Sequence, residues 1–177
     1  MPGNLFINFG KDVPEGESMQ KDHPGTKGWI EISDWDFEIA SESSAGKGQG
    51  SAVGKAATEG LNVSHYFDVS SPTILSKIVT GTHFPYITIH MLKQTGESGK
   101  PPQTYFEVKV SEAFVSKVST KGNGEDGTMS QDVTFTFKQI SVAYKPQNNK
   151  GELLGSIPFD WSIKGNELKT GIPDRLK

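Results

Sequence analysis

The most constraining feature of this sequence is a change of phase within its apolar strand patterns. In DVTFTFKQISVAYKP, residues 132–146, apolar side chains occupy odd positions through Phe137 and even positions from Ile140 onwards. Successive side chains of a β-strand point to opposite faces, so a regular strand keeps one parity towards the core. The stretches 29–39 and 105–118 change parity in the same way. A strand pattern of this kind indicates that the chain is bent or interrupted near the middle of each stretch.

A β-bulge accounts for such a change, because one additional residue reverses the faces beyond it and bends the strand. A strand of roughly fourteen residues would extend about 45 Å. The usual strand has only about five or six residues. Long bent strands can serve two sheets or close a barrel. We therefore predict a mainly β fold, a closed or nearly closed antiparallel β-barrel of two sheets with one short α-helix at its side. The alternative is a pair of short strands that meet at Lys138 and Gln139 without pairing across the join.

The segment SSPTILSKIVTGTH predicts the single helix. Ser71 can serve as the N-cap, Pro72 suits the first helical position, and Gly81 suits a left-handed C-cap. The apolar residues follow the spacing i, i+1, i+4, i+5 and form one stripe: Ile74, Leu75, Ile78 and Val79. A helix of about three turns is marginal alone, so we expect this stripe to dock on the barrel.

Composition favours one β-rich domain. The 177 residues include 20 Gly and 10 Pro, and 33% of them are hydrophobic, which is typical of a turn-rich chain with one core. Residues 41–60 are mostly Gly, Ser, Ala and Lys, too small or too polar to form a core. We predict a single domain over residues 1–177, with an extended loop at 41–60 and a short polar tail at 167–177.

Charge and hydropathy argue against two classes of partner. The net charge is −3 with a pI of about 5.8. The sequence lacks the basic stripe that nucleic-acid-binding proteins usually carry. No apolar run approaches the roughly 18 residues that a membrane span needs. The N-terminal stretch MPGNLFINFGKDVPEG has neither the basic nor the apolar region of a secretory signal peptide. We expect synthesis in the cytoplasm, with any export following a route that needs no cleavable signal.

Two glycine-rich segments approach phosphate-binding motifs without meeting their requirements. GNGEDG, residues 122–127, matches G-x-G-x-x-G, but it connects two predicted strands, and Glu125 and Asp126 would repel phosphate. A hairpin turn explains it better. QGSAVGKAA has Gln49 in place of the first P-loop glycine and Ala56 in place of the metal-binding hydroxyl. We therefore predict no cofactor.

No group of residues indicates catalysis. The four histidines share no spacing typical of metal ligands, although the fold could bring two of them together: His23, His65, His83 and His90. The chain contains no cysteine, which excludes disulfides and thiolate metal sites. There is no G-x-S-x-G nucleophile motif, and the carboxylates are scattered. We predict no catalytic residue, no metal site and no enzyme activity.

The order and spacing of several segments carry a resemblance to a known family. FINFG near the start, a histidine in the following loop, GWIEISDWDFEI, HYFDVSSPTILSKIVTGTHFPYITIHMLK and FDWSIKGN follow one another. The most telling parts are the helix start at 68–72, the helix end at 81–83 and the strand end at 144–147. Together they resemble the haemolysin-coregulated protein (Hcp) family, the tube protein of type VI secretion systems, over about residues 5–166.

The resemblance implies a two-sheet β-barrel that assembles into a hexameric ring with a wide channel. In this family, rings stack into a tube inside a contractile sheath, which drives tube and spike into a target cell. The partners it implies are five further copies and stacked rings, the sheath and spike proteins, and small effector proteins held in the channel. It also implies secretion from the bacterial cytoplasm to the exterior or the target cell without a signal peptide.

The family uses an extended loop after the second strand to reach the next ring. By position that loop is residues 41–60, and the residues we expect at the ring-to-ring interface are Ser44, Gly46, Lys47, Gln49 and Val53. Two other functions remain open at this point. One is an effector-binding chaperone ring without a tube role, and the other is a phage-like tail tube protein.

Overall fold

The computed structural model describes residues 4–41, 54–96, 99–165 and 167–168, which contain ten β-strands and one α-helix. Their bounds in chain order are β1 (Leu5–Asn8), β2 (Trp29–Glu31), β3 (Asp34–Ala40), β4 (Ala57–Tyr66), α1 (Ser71–Thr80), β5 (His83–Lys93), β6 (Gln103–Gly122), β7 (Met129–Thr136), β8 (Gln139–Tyr144), β9 (Ile157–Ser162) and β10 (Glu167–Leu168). Short 3₁₀ turns cover Gly10–Asp12 and Gly25–Lys27.

The long strand β6 is the centre of one antiparallel sheet. It pairs with β5 along one edge and with β7 and then β8 along the other, and β9 and β10 continue from β8. One arm runs from β5 through β1 to β2, and the other from β7 through β4 to β3. The chain links the two arms at Ile32 and Ser33, whose N–H groups donate to the carbonyls of Leu5 and Ser64. The described strands therefore form a nearly closed barrel, as predicted.

The junction of β7 and β8 shows how the opening stretch changes faces. Phe114 pairs with Thr136 and Ser111 pairs with Gln139, with two residues between these pairs on each strand. No additional residue is present there, and the Lys138 N–H donates to the Ser111 carbonyl at 3.1 Å. The predicted bulge at this point is wrong. The stretch is two strands, β7 and β8, as in the alternative, but hydrogen bonding to β6 continues across the join, which the alternative did not include.

The faces change because neighbouring strands bend at the same line. In β6, Val110 and Ala113 are both fully buried, although their spacing puts them on opposite faces of a regular strand. Glu112 between them has a φ of 47°, a left-handed conformation that a non-glycine residue rarely adopts. In the adjacent β5, Phe84 and Ile87 are buried with the same irregular spacing. The sheet thus turns as a unit and keeps its register.

The phase change in residues 29–39 has a different cause. Residues 29–39 are two strands, β2 and β3, because the chain passes from one arm of the sheet to the other between them. Register shifts do occur in β6 between Val115 and Lys117 against β7, and in β3 between Phe37 and Ile39 against β4. Bulges are therefore present in this fold, but away from the join where we expected one.

Helix α1 starts and ends close to the predicted residues. It begins at Ser71 with Ser70 as its N-cap, so Pro72 is the second helical residue and the predicted start is one residue late. The predicted C-cap is confirmed, since Gly81 has a φ of 67° in the left-handed region.

The predicted helical stripe is only partly used for packing. Ile74 is fully buried and Ile78 packs against the core, whereas Leu75 and Val79 are 37% and 84% exposed. The stripe is wider than the contact with the barrel, so the helix docks on one edge of it. The other edge remains open to solvent.

The core lies between the two arms and is rich in aromatic side chains. Phe9 contacts Phe84 and Phe135, with ring centroids 4.9 Å and 6.0 Å apart. Two predicted boundaries need correction at the periphery of this core. The last four residues of the predicted loop, 57–60, belong to β4, and residues 167–168 of the predicted tail form β10 on β9.

Candidate functional site

The five predicted ring-stacking residues fall within residues 42–53, outside the described part of the chain. They are Ser44, Gly46, Lys47, Gln49 and Val53. The residues that flank this segment are described, and Ala40 at the end of β3 pairs with Ala57 at the start of β4. The β3–β4 hairpin therefore holds both ends of the predicted loop side by side at one end of the barrel.

A strip of exposed apolar side chains lies on β8 and β9. Tyr144 pairs with Ile157, and Val142 pairs with Phe159. The exposed fractions of Tyr144, Ile157 and Phe159 are 43%, 60% and 37%. These three residues are called the β8–β9 face below. Contiguous exposed apolar surface of this kind is typical of a protein–protein interface.

The β8–β9 face continues the core-facing side of the sheet. Two residues further along each strand, Ile140 pairs with Trp161, and these side chains are only 0% and 5% exposed. Alternate residues of a strand share a face, so the same face that forms the core extends into solvent. The barrel covers its inner face at one end of β8 and β9 and leaves it open at the other.

A second exposed apolar surface lies on α1. Leu75 and Val79 are one helical turn apart, and they are called the helix face below. The helix beneath them is firmly attached, because Ile74 is buried and the Lys77 ammonium lies 3.2 Å from the Asp12 carboxylate. This surface is therefore presented on a fixed element.

The residues before the helix form a buried polar network. The His65 Nδ1 lies 3.0 Å from Asp68 Oδ2, and its Nε2 lies 3.1 Å from Gln131 Oε1. Asp68 Oδ1 accepts hydrogen bonds from both the N–H and the hydroxyl of Ser70. Burial raises the pKa of Asp68, but the hydrogen bonds from His65 and Ser70 outweigh it and hold the pKa below its usual 3.8. This arrangement fixes the start of the helix.

Two of the four histidines meet in the fold, although 67 residues separate them in the sequence. His23 Nε2 lies 2.8 Å from His90 Nδ1, and His90 Nε2 lies 2.7 Å from Glu107 Oε2. His23 and Glu107 are only 6% and 5% exposed, so this chain of side chains does not open into a cleft. A cleft of 410 Å³ lies near the junction of β2 and β3, and its lining includes Glu17, Glu31 and Tyr66.

The described residues contain neither a three-ligand metal cluster nor a helix able to span a membrane. Within residues 4–41, 54–96, 99–165 and 167–168, no three His, Asp or Glu side chains are arranged to hold a metal ion. In the same part of the chain, no helix has the length and apolar character that crossing a membrane requires.

Comparison with known proteins identifies the class to which this fold and these surfaces belong. A family model described as "Type VI secretion system effector, Hcp" matches residues 6–144, which is most of the chain. This protein therefore belongs to the Hcp family of type VI secretion proteins, and the predicted family is confirmed.

Individual relatives agree with that assignment. Protein hcp1 of Pseudomonas aeruginosa is 30% identical over 167 residues, which cover 94% of this chain and 98% of that protein. A solved structure of a type six secretion system protein is 27% identical, covers 93% of this chain and 98% of its own, and has a TM-score of 0.81. Hcp1 from Salmonella typhimurium is 26% identical, covers 96% and 100%, and has a TM-score of 0.71.

The exposed apolar surfaces were not predicted from the sequence. The alternation at residues 140–144 and 157–161 is typical of strands packed on a core. This pattern does not show at which residue the rest of the barrel stops burying the apolar face. The only signal that could have found the helix face is the width of the stripe, because four apolar positions exceed what one edge of a short helix can bury.

Proposed function

We propose that six copies of this chain form a ring and that rings stack into the inner tube of a type VI secretion system. The tube is expelled into target cells and carries small effector proteins in the ring channel. Membership of the Hcp family supports the secretion context. The role is structural and requires no catalytic residue, cofactor or metal ion.

The observation that carries this proposal is the β8–β9 face. A closed ring with one kind of contact joins two different surfaces of each subunit, because every contact is heterologous. Ile157, Phe159 and Tyr144 supply an apolar surface of the required kind, and Leu75 and Val79 on the helix face supply a second one on a different element. We assign these two faces to opposite sides of the ring contact.

The energy available at such a contact is useful but modest. Full burial of a large apolar side chain contributes about 1.5–3 kcal/mol. The three side chains of the β8–β9 face are 37–60% exposed, so covering them gains about 1 kcal/mol each. The same contact would be repeated at every subunit junction of the ring. Its total contribution to the ring is therefore larger than its contribution to one pair of subunits.

Stacking of rings is assigned to the segment between β3 and β4. The residues proposed to contact the next ring are Ser44, Gly46, Lys47, Gln49 and Val53. The β3–β4 hairpin supports this assignment because it holds both ends of the segment at one end of the barrel.

The remaining partners follow from the same role. They are the sheath and spike proteins of the secretion machine and the effectors inside the channel, with no nucleic acid and no membrane insertion. We further propose that the chain is made in the bacterial cytoplasm without a signal peptide and leaves through the type VI machine.

The test is sedimentation velocity on three single variants at one concentration. Ile157→Glu and Val79→Glu each add a charge to one proposed face, and both should reduce the hexamer to smaller species. Met19→Glu is the matched control, because Met19 is 97% exposed and lies on neither face, so its hexamer should be unchanged. Hexamers that persist in Ile157→Glu would overturn the assigned contact. Stable wild-type hexamers that never stack would favour the chaperone ring over the tube.

A further inference from the structure

A row of side chains crosses three strands on the outer face of the sheet. Phe6 pairs with His90, and His90 pairs with Glu107. Their neighbours Ile89 and Val108 belong to the core, so the row faces the other way. Within it, His90 Nε2 lies 2.7 Å from Glu107 Oε2. A carboxylate and an imidazole are thus placed on a side of the sheet that would otherwise face water.

A short segment, residues 16–25, covers this row and is called the latch segment. The Gly16 N–H donates to the Gly25 carbonyl, and the Gly25 N–H donates to the Ser18 carbonyl, both at 2.7 Å. The segment is attached to β2 by the Ser18 N–H, which donates to the Trp29 carbonyl at 3.1 Å. Met19 at its tip is 97% exposed. Besides this backbone bond, the segment contacts the row through the side chain of His23, which reaches Phe6, Trp29 and His90.

The ring of His23 fills a space between aromatic side chains. It stacks on Phe6 with centroids 5.1 Å apart and meets the edge of Trp29 at 4.5 Å. Its Nε2 lies 2.8 Å from His90 Nδ1, while its Nδ1 is buried without a hydrogen-bond partner. The titratable groups around it are His90 from β5, Glu107 behind His90 on β6, and Asp22 on its own segment; β1 and β2 present the rings of Phe6 and Trp29.

The contact between the two histidines accommodates one proton. Whichever imidazole carries it, the other must accept, so protonating both rings sets one N–H against another and breaks the bond. Burial is the largest cause and the charge of His90 the second, and together they lower the pKa of His23 to about 4 against the opposing effect of Asp22. A charged His23 ring would either oppose an N–H of His90 or leave its buried Nδ1–H without an acceptor. A neutral His23 ring therefore favours docking of the latch segment.

We propose that His23 makes docking of the latch segment sensitive to acid. Protonation of His23 releases residues 16–25 from the outer face of the sheet and uncovers Phe6 and Trp29, while the barrel core stays folded. This inference does not depend on ring or tube formation. It assigns a role to a buried histidine that the proposed structural function leaves unused.

The direction of the effect follows from proton linkage. The pKa of His23 is about 4 when the segment is docked and returns to about 6.5 when it is released. The released form therefore binds more protons between these values, and docking weakens as the pH falls below 6.5. Between pH 6.5 and 4 the equilibrium constant for docking falls by up to about 300-fold, because each pH unit lowers it by tenfold at most.

Hydrogen–deuterium exchange read by mass spectrometry tests the proposal at pH 7.0, 5.5 and 4.5, with rates corrected for intrinsic exchange. In the wild type, protection of peptides within residues 11–28 should fall by up to tenfold per pH unit below 6.5, while peptides from β5 and β6 stay protected. In His23→Gln, which cannot titrate, this pH response should be absent. His83→Gln removes an exposed histidine outside the network and should retain the wild-type response.

Two results would overturn the latch. One is an equal pH response in His23→Gln, and the other is simultaneous loss of protection in the latch segment and in β5 and β6. Should His23→Gln fold poorly, the wild type still gives a direct answer by NMR of the histidine ring carbons. The ring of His23 should titrate with a midpoint near 4, and a midpoint near 6.5 would show that docking does not depend on its protonation.

Discussion

Replacing Asp68 by Asn tests the polar network at the start of helix α1. The carboxylate accepts from His65 at 3.0 Å and from the Ser70 N–H at 2.8 Å, and the two side chains of the His65–Asp68 pair are 3% and 7% exposed. Asn keeps one oxygen for Ser70. Its amide N–H₂, however, would face the His65 ring nitrogen that donates to Asp68, or else the Ser70 donors.

The expected cost can be worked from these bonds. A hydrogen bond to a charged group contributes about 1.5–3 kcal/mol, and leaving a buried donor unsatisfied adds to the loss. We expect Asp68→Asn to lower the free energy of unfolding by about 2 kcal/mol at pH 7 and Asp68→Ala by about 3 kcal/mol, because Ala also removes the bonds to Ser70. Glu125→Gln, which removes a charge from an exposed hairpin turn, is the control and should change little.

The pH dependence supplies an independent check on the cause. The pKa of Asp68 is held below 3.8 in the folded protein, so its stabilisation is present above that value and is lost as the pH falls through the folded pKa. Urea denaturation at a single protein concentration should therefore give a wild-type advantage over Asp68→Asn at pH 7 that shrinks below about pH 4. A difference under about 0.5 kcal/mol at pH 7, or one that does not shrink in acid, would refute the reasoning.

Four further perturbations test the core, a glycine position in β4, the stacking segment and the expected lack of a metal site. Ile140→Asp should destabilise by about 4 kcal/mol or more, since the side chain is fully buried, and an unchanged melting temperature would contradict the assigned face. Gly60→Ala should cost about 2 kcal/mol or more by denaturation, because its φ is 120° and the added Cβ would lie 2.4 Å from the Phe135 carbonyl; unchanged stability would mean that the backbone relaxes. Deleting residues 46–55 should leave rings intact in electron micrographs but reduce stacking, and loss of rings would assign the segment to the contact within a ring. A chelator should leave the melting temperature unchanged, and a clear shift would reveal a bound metal ion.

The strand patterns predicted the fold class because parity along a strand depends only on which face is buried. The change of parity near Lys138 correctly indicated a bend. Its cause could not be read from one strand, because a bend shared by β5, β6 and β7–β8 preserves the register that a bulge would shift. The left-handed Glu112 gives no signal in the sequence, since Asn or Gly would be the usual residue there.

The candidate surfaces were less predictable than the fold. Ile157 and Phe159 alternate with Pro158 and Asp160 in the same period-two pattern as core residues of a strand, and only the three-dimensional structure shows that the barrel stops covering them. The contact between His23 and His90 depends on the latch segment folding back over the sheet, which no local spacing encodes. The family resemblance, by contrast, depended on the order of many segments and was confirmed.

The most direct test of the central claim is the mass and shape of the wild-type particle. Light scattering after size exclusion should give six times the 19.2 kDa subunit, about 115 kDa, with ring-shaped particles in negative-stain images of the same peak. A homogeneous 19.2 kDa monomer at every protein concentration measured would contradict the proposed role as a tube subunit. Only the fold and the family assignment would then remain.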